Sequence, residues 1–247
     1  TSYYLSFAQG YKSGGVNQQP FLGKKNRSFK PEYIQNMELG FKRMMDNYSD
    51  RLTVFIGNRR DQQVSVSSQQ VLGDPNSFYY FTSNAGSGRL GGLEWDHDHV
   101  ITSNVRLTAS LGYLDTKVEE FSYRMDSTTI GIGGNRAAAM APKLTGSFGF
   151  DWRDKSGLFA RTDLTYKDNY YFSDSHNQIS NSYFLINLSF GKTIDAATIT
   201  FWARNIFDKR YAIRGFYFGL IPPDYPDELW LSYGDPRQIG LTFDYKL

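Results

Sequence analysis

The cleanest run of alternating apolar and polar positions lies at residues 238–247. Ile239, Leu241, Phe243, Tyr245 and Leu247 fall on one face, and Gln238, Gly240, Thr242, Asp244 and Lys246 on the other. Side chains of a β-strand point alternately to opposite sides, so this pattern predicts a strand with one apolar and one polar face. Its length is informative. Strands of globular domains average about 5–6 residues, whereas a tilted strand crossing a bilayer needs roughly 9–11. A membrane-spanning strand that closes a β-barrel is therefore expected here.

The same alternation recurs upstream. Tyr3, Leu5 and Phe7 oppose Tyr4, Ser6, Ala8 and Gly10; within residues 33–45, Met37, Leu39 and Phe41 oppose Glu38, Gly40 and Lys42. A turn at residues 46–50 leads to a strand over residues 51–66, whose parity is ambiguous because Leu52, Val54 and Ile56 compete with Phe55. Strands follow over residues 86–96 and from Val105, joined by a predicted turn at residues 97–104. Others are predicted over Leu144–Arg153 and Leu158–Lys167, around Phe184 to Phe190, and after a turn at residues 193–197. With the last strand this makes about ten.

The connections alternate short and long, the long ones covering residues 13–31, 67–85 (with the turn signal Gly73-Asp74-Pro75-Asn76), 119–140, 168–182 and 206–236. Transmembrane barrels have short periplasmic turns and longer external loops, whereas a soluble sandwich has shorter strands and no such asymmetry. The expected class is all-β, a transmembrane antiparallel barrel with the long loops outside. Aromatics at strand ends (Tyr3, Tyr113, Trp152, Tyr166, Tyr245) suit interfacial girdles, and charged pairs such as Arg161/Asp163 and Asp151/Arg153 suit a watery lumen.

Composition changes this picture little. No apolar run approaches a transmembrane helix, which leaves strands as the means of crossing. A net charge of +2 gives no reason to expect a nucleic-acid partner, and the absence of cysteine excludes disulfides and thiolate metal sites. The strand pattern starts at Tyr3 with no signal-peptide pattern before it, so either a leader was removed or the chain is a piece of something longer.

Two segments flank the last long connection: Asn205-Ile206-Phe207-Asp208-Lys209-Arg210-Tyr211 and Tyr233-Gly234-Asp235-Pro236-Arg237. Upstream, in order, stand Phe7-Ala8-Gln9-Gly10-Tyr11-Lys12-Ser13-Gly14-Gly15, Pro31-Glu32 leading to Glu38-Leu39-Gly40-Phe41-Lys42, Gly92-Leu93-Glu94, Gly112-Tyr113-Leu114-Asp115 and Ala141-Pro142-Lys143. Together these resemble the TonB-dependent outer-membrane receptors over essentially the whole chain. Leu247 departs from the Phe or Trp that often ends the family, but keeps the parity.

The resemblance implies that residues 1–247 are the C-terminal part of a receptor barrel domain, about ten strands of a 22-stranded wall. The plug and the energy-coupling segment are not found in this sequence. It implies energy-coupled uptake of an extracellular ligand, expected to be a ferric siderophore, across the bacterial outer membrane. The implied partners are that ligand, outer-membrane lipid, the remaining barrel and plug, and the inner-membrane TonB complex reached through the missing part. A passive porin or an autotransporter-type barrel is the alternative on the same strands.

No catalytic arrangement is found, and no cofactor is expected. His97 and His99 with Asp96 and Asp98 have metal-ligand spacing but sit in a predicted turn without a further ligand, so no metal site is expected. Asn205, Phe207, Asp208, Tyr211, Gly234, Pro236 and Arg237 read as a structural junction, in which Asn and Asp bond free backbone groups. The ligand-binding candidates are loop aromatics, Tyr170, Tyr171, Phe172, Phe216, Tyr217 and Trp230, with Phe218 and Tyr225 nearby and Arg214 as the cation. Rings with an Arg suit an anionic, aryl-rich iron chelate; the same rings also suit packing of the loops on one another.

Overall fold

In the computed structural model, which describes residues 1–19, 22–69, 71, 74–124 and 130–246, the long alternating segments pair edge to edge and the connections between them fold into hairpins. In chain order the strands are β1 (Ser2–Lys12), β2 (Gly15–Val16), β3 (Ser28–Phe29), β4 (Glu32–Met44), β5 (Tyr48–Arg60), β6 (Gln63–Gln69), β7 (Phe78–Asn84), β8 (Ser87–Thr102) and β9 (Val105–Val118). They continue with β10 (Phe121–Arg124), β11 (Ile130–Gly133), β12 (Leu144–Arg153), β13 (Leu158–Lys167), β14 (Tyr183–Ile194), β15 (Ala197–Arg204), β16 (Ala212–Gly219), β17 (Asp227–Tyr233) and β18 (Gln238–Tyr245). One sheet of ten runs β1-β4-β5-β8-β9-β12-β13-β14-β15-β18, every neighbour antiparallel. Four separate two-stranded sheets (β2-β3, β6-β7, β10-β11, β16-β17) stand at the long-loop end.

Register sorts the side chains into two faces. Leu5, Leu39, Val54, Leu93, Tyr113 and Leu144 form one row across six strands, and Phe190, Phe201 and Leu241 another. These apolar rows point outward: Phe7 is 72% exposed and Leu241 70%. Burying apolar area is worth about 25 cal/mol per Å², so a contiguous band of this kind needs an apolar surrounding.

The opposite face is polar and linked. Tyr4 donates to Glu38 at 2.5 Å. An ion ladder crosses four strands, in which Arg106 pairs with Asp98, and Arg161 with both Asp151 (3.6 Å) and Asp163 (2.7 Å). Arg153, expected to pair with Asp151, instead lies over the Phe159 ring at 5.0 Å.

Several boundaries differ from the sequence reading. The segment expected to continue to Val66 breaks at Asp61, whose φ of 51° ends β5 and starts the β6-β7 hairpin. Leu52, Val54 and Ile56 take the outer face. Phe55 turns inward over Gly92, where a Cβ would lie 2.7 Å from its ring. The predicted turn at residues 97–104 shrinks to Ser103 and Asn104, so His97 and His99 are strand residues of β8. The turn expected at residues 46–50 likewise shortens, with Tyr48, Ser49 and Asp50 inside β5. Leu247, and the Gly73 of the expected turn, lie outside the described residues.

The buried core sits among the loops, not in the wall. Leu22, Val64, Val66, Phe81, Ala85, Val118 and Phe121 cluster, with Val64 and Val66 each only 1% exposed. Asn17 ties β7 to the first loop by donating to the Thr82 carbonyl and accepting from its N–H, at 2.8 and 2.9 Å. Buried Glu32 accepts from the Gln63 N–H at 2.9 Å and faces Arg59 at 3.1 Å. The loops thus form a packed cap above the wall.

Candidate ligand-binding site

The junction at the end of β15 is a hydrogen-bonded knot. Asn205 is 5% exposed with φ 47°, a left-handed conformation that Asn tolerates better than most residues. Its Nδ2 donates to the carbonyls of Lys209 and Asp235, at 3.0 and 3.1 Å, and its Oδ1 accepts from the Lys209 N–H at 2.9 Å. Asp208 (φ 51°) accepts from the Arg237 N–H at 2.8 Å, which places Pro236 and Arg237 for entry into β18. Phe207 projects outward at 67% exposure. Tyr211 lies between Tyr183, with ring centroids 4.5 Å apart, and Gly234, where a Cβ would run into its ring. Gly234→Ala is therefore expected to cost about 1–3 kcal/mol by displacing Tyr211, read as a lower urea midpoint of the detergent-solubilised full receptor.

At the long-loop end two loops and two hairpins, β6-β7 and β16-β17, line an open cavity of about 290 Å³. Phe172, Ser173, Asp174, Ser175 and His176 line one side, Gly215 to Phe218 of β16 another, with Ser65, Val66, Tyr80 and Ala139 completing it. Of the sequence candidates, Phe172, Phe216 and Tyr217 meet at this cavity, as does Phe218. Tyr217 lies 5.9 Å from the His176 ring.

The other candidates lie elsewhere. Tyr170 is buried, donates to the carbonyls of Ala212 and Ile213, and packs edge-on to Phe172. Trp230 donates to the Phe218 carbonyl at 3.1 Å, bracing the β16-β17 hairpin. Tyr171 stacks under the Arg136 guanidinium at 4.0 Å. Arg214 is exposed on β16 and does not line the cavity, and Tyr225 sits in the hairpin turn.

One cation that holds the cavity wall from behind is one the sequence reading did not single out. Arg136 Nη2 donates to the carbonyls of Ser173 and His176 at 2.9 and 2.7 Å, while its Nε and Nη1 are buried without an acceptor among the described residues. Desolvation lowers its pKa from the usual arginine value, opposed by Tyr171 and Asp174. Tyr123 donates to the Ser175 carbonyl at 2.6 Å, so two side chains of the 119–140 loop clamp the cavity wall. A second cavity of about 760 Å³ holds Lys24 and Lys25 near Phe81, Phe121 and Tyr123. Its only sequence signal was the lysine pair in the first long loop. Among the described residues no three His, Asp or Glu side chains are grouped to hold a metal ion.

His176 makes the cavity wall sensitive to acid. Burial lowers its pKa below 6.5, reinforced by Arg136 and partly offset by Gln178. The docked loop therefore prefers neutral imidazole, whereas the undocked loop takes up a proton near pH 6.5. Docking is at full strength above that pH and weakens as pH falls through it. Protection of the residue 168–182 amides in the full receptor, taken relative to the intrinsic exchange rate at each pH, is expected to fall between about pH 7 and pH 5, and His176→Gln is expected to remove that loss.

Comparison with known proteins agrees with this architecture. Residues 1–206 match the family model described as TonB dependent receptor-like, beta-barrel. Similar solved structures include the ferric yersiniabactin uptake receptor FyuA from Yersinia pestis (18% identity, TM-score 0.76, 98% of this chain and 34% of that one). Another is the siderophore receptor PiuA from Acinetobacter baumannii (17%, 0.72, 98% and 33%). The copper transporter OprC is also similar (13%, 0.71, 98% and 37%). The chain spans about a third of the length of these solved chains. A ten-stranded wall with its apolar face outward and its loops capped, matched over residues 1–206, makes this chain a member of the TonB-dependent receptor-like β-barrel family.

Proposed function

We propose that the chain supplies ten strands of a 22-stranded outer-membrane barrel. The remaining wall, a plug and an energy-coupling segment belong to the rest of the receptor. The receptor imports an extracellular ligand, a ferric siderophore, with energy from the inner-membrane TonB complex. The chain contributes wall, cap and part of the ligand-binding surface, and no chemistry of its own. The observation that carries this reading is the aromatic cavity of Phe172, Phe216 and Tyr217 at the long-loop end, above a polar inner face.

At about 290 Å³ the cavity is at the lower bound of small-molecule sites, the size of one aromatic arm rather than a whole chelate. A ligand ring stacking on Phe216 or Tyr217, which point to opposite faces of β16, fits an aryl iron-binding group, with the Arg136 charge behind the cavity wall. Of the compared structures one is named as a ferric yersiniabactin uptake receptor, one as a siderophore receptor and one as a copper transporter, so the wall alone leaves the cargo open.

The test is uptake of radio-iron as ferric catecholate or ferric hydroxamate into iron-limited cells carrying the full receptor. Uptake is expected to require both the receptor and a functional TonB complex. Entry that persists without TonB overturns energy coupling, and failure to bind any ferric chelate overturns the cargo.

A further inference from the structure

On the outer face of the wall, apolar residues give way to a polar cluster near the short turns. Leu52 pairs with Trp95, Asp50 with His97, and Tyr48 with His99, while Arg43 pairs with Asp50. Arg43, Tyr48, Asp50, Trp95, His97 and His99 therefore share the side on which Leu39, Val54 and Ile56 are exposed. The rings are contiguous. Trp95 stacks on His97 at 5.6 Å, His97 meets His99 edge-on at 5.6 Å, and Tyr48 lies 5.8 Å from His99.

The charges are unevenly satisfied. Asp50 Oδ1 accepts from Trp95 Nε1 at 3.3 Å and lies 2.8 Å from His97 Nδ1. Arg43 rests over the Tyr48 ring at 5.3 Å and, among the described residues, has no carboxylate partner. Among the described residues, the one polar approach His99 makes is 3.4 Å to Asn47 at the turn. Aromatic girdles at a bilayer interface are expected of any barrel, but they do not require an unpaired guanidinium and imidazole beside a carboxylate. Polar groups on a membrane-facing surface are costly unless something meets them.

We propose that this cluster binds the headgroup of a zwitterionic phospholipid of the phosphatidylethanolamine type, in the leaflet on the short-turn side. The inference rests on the membrane reading above, not on the identity of the cargo. Arg43 and His99 donate to the phosphodiester, for which a guanidinium is well shaped. The lipid ammonium lies toward Asp50 and the face of Tyr48. Trp95 packs against the glycerol region, continuous with Leu52 and Leu93. Adjacent positive and negative groups on the protein match adjacent negative and positive groups on the lipid, and this commits the site to a zwitterionic headgroup over an anionic one.

Native mass spectrometry of the full receptor, with added phosphatidylethanolamine, phosphatidylglycerol or diacylglycerol, tests it. One phosphatidylethanolamine is expected to survive activation that strips the others. Arg43→Gln with His99→Asn is expected to lower its retention about tenfold or more, the loss of one or two charge-assisted hydrogen bonds. Lys192→Gln, on the same face beside Leu158 and Ile199, is expected to leave it unchanged. Equal retention in the double variant, equal retention of diacylglycerol, or preference for phosphatidylglycerol overturns the site. Should the double variant fail to fold, Arg43→Gln against Arg43→Lys gives the same reading, with the lysine variant retaining more lipid. Membrane fractionation separates the two levels. A receptor found in the outer membrane with unchanged lipid retention sinks this site alone, whereas one absent from that membrane sinks the barrel reading.

Discussion

Asn205→Ala is expected to be the most damaging single substitution in the β15–β18 region, costing roughly 3–4 kcal/mol. The side chain donates to two carbonyls and accepts one N–H while almost fully buried. Its removal leaves the Lys209 N–H and the Lys209 and Asp235 carbonyls without these partners, and a buried unsatisfied group costs about 1–3 kcal/mol. Alanine also pays about 1 kcal/mol to hold the left-handed φ of 47°. Asn205→Gly loses the same bonds without the backbone penalty, so it is expected to be about 1 kcal/mol less harmful. Urea unfolding of the full receptor in detergent, followed by tryptophan fluorescence, measures both. If neither variant lowers the midpoint, the knot does not hold β15 to β18.

The wall was largely legible because its strands obey one rule. Where apolar residues alternate, as in β1, β9, β13 and β18, the predicted and observed faces agree. The rule faltered where side chains on both faces are polar. Asp96, His97, Asp98 and His99 gave no alternation to follow, yet β8 continues through them because ladder hydrogen bonds need only the backbone. Phe55 left the parity of its strand open for a different reason. Its place on the inner face depends on Gly92 of the next strand, a pairing that no local window contains.

The loops were less legible. Val64 and Val66 extend a strand pattern across residues 61–66, and nothing in the hydrophobic pattern announces that Asp61 turns the backbone. Residue type also separates poorly a ring that faces solvent from one that braces a hairpin. The Tyr170 hydroxyl meets backbone carbonyls of β16 and the Trp230 indole meets one within its own hairpin, whereas Phe216 is 48% exposed at a cavity. Arg136 and His176 come together only through the docking of residues 119–140 on residues 168–182. Their separation in sequence, and the isolation of His176 from other histidines, left no motif to find.

Phe216→Ala combined with Tyr217→Ala is expected to weaken binding of a ferric aryl chelate to the full receptor by about thirty- to several-hundredfold, since each aromatic anchor in a site carries about 1–2 kcal/mol. The two neighbours differ in what they give. Phe216 sits opposite Trp230 in the hairpin register and edge-on to Phe218, so its loss removes stacking surface. Tyr217 faces His176, so its loss also opens the wall that Arg136 holds through the Ser173 and His176 carbonyls. Phe216→Leu keeps apolar area but not the ring, and is expected to recover little of the affinity if stacking dominates. Ile132→Ala, more exposed than Phe216 and on β11 outside the cavity lining, is the control and is expected to bind normally. Intrinsic fluorescence quenching on titration gives the Kd of each variant. A double variant within about twofold of the parent, less than 0.5 kcal/mol, removes this cavity from the binding surface and turns attention to the lysine-lined cavity at Lys24 and Lys25.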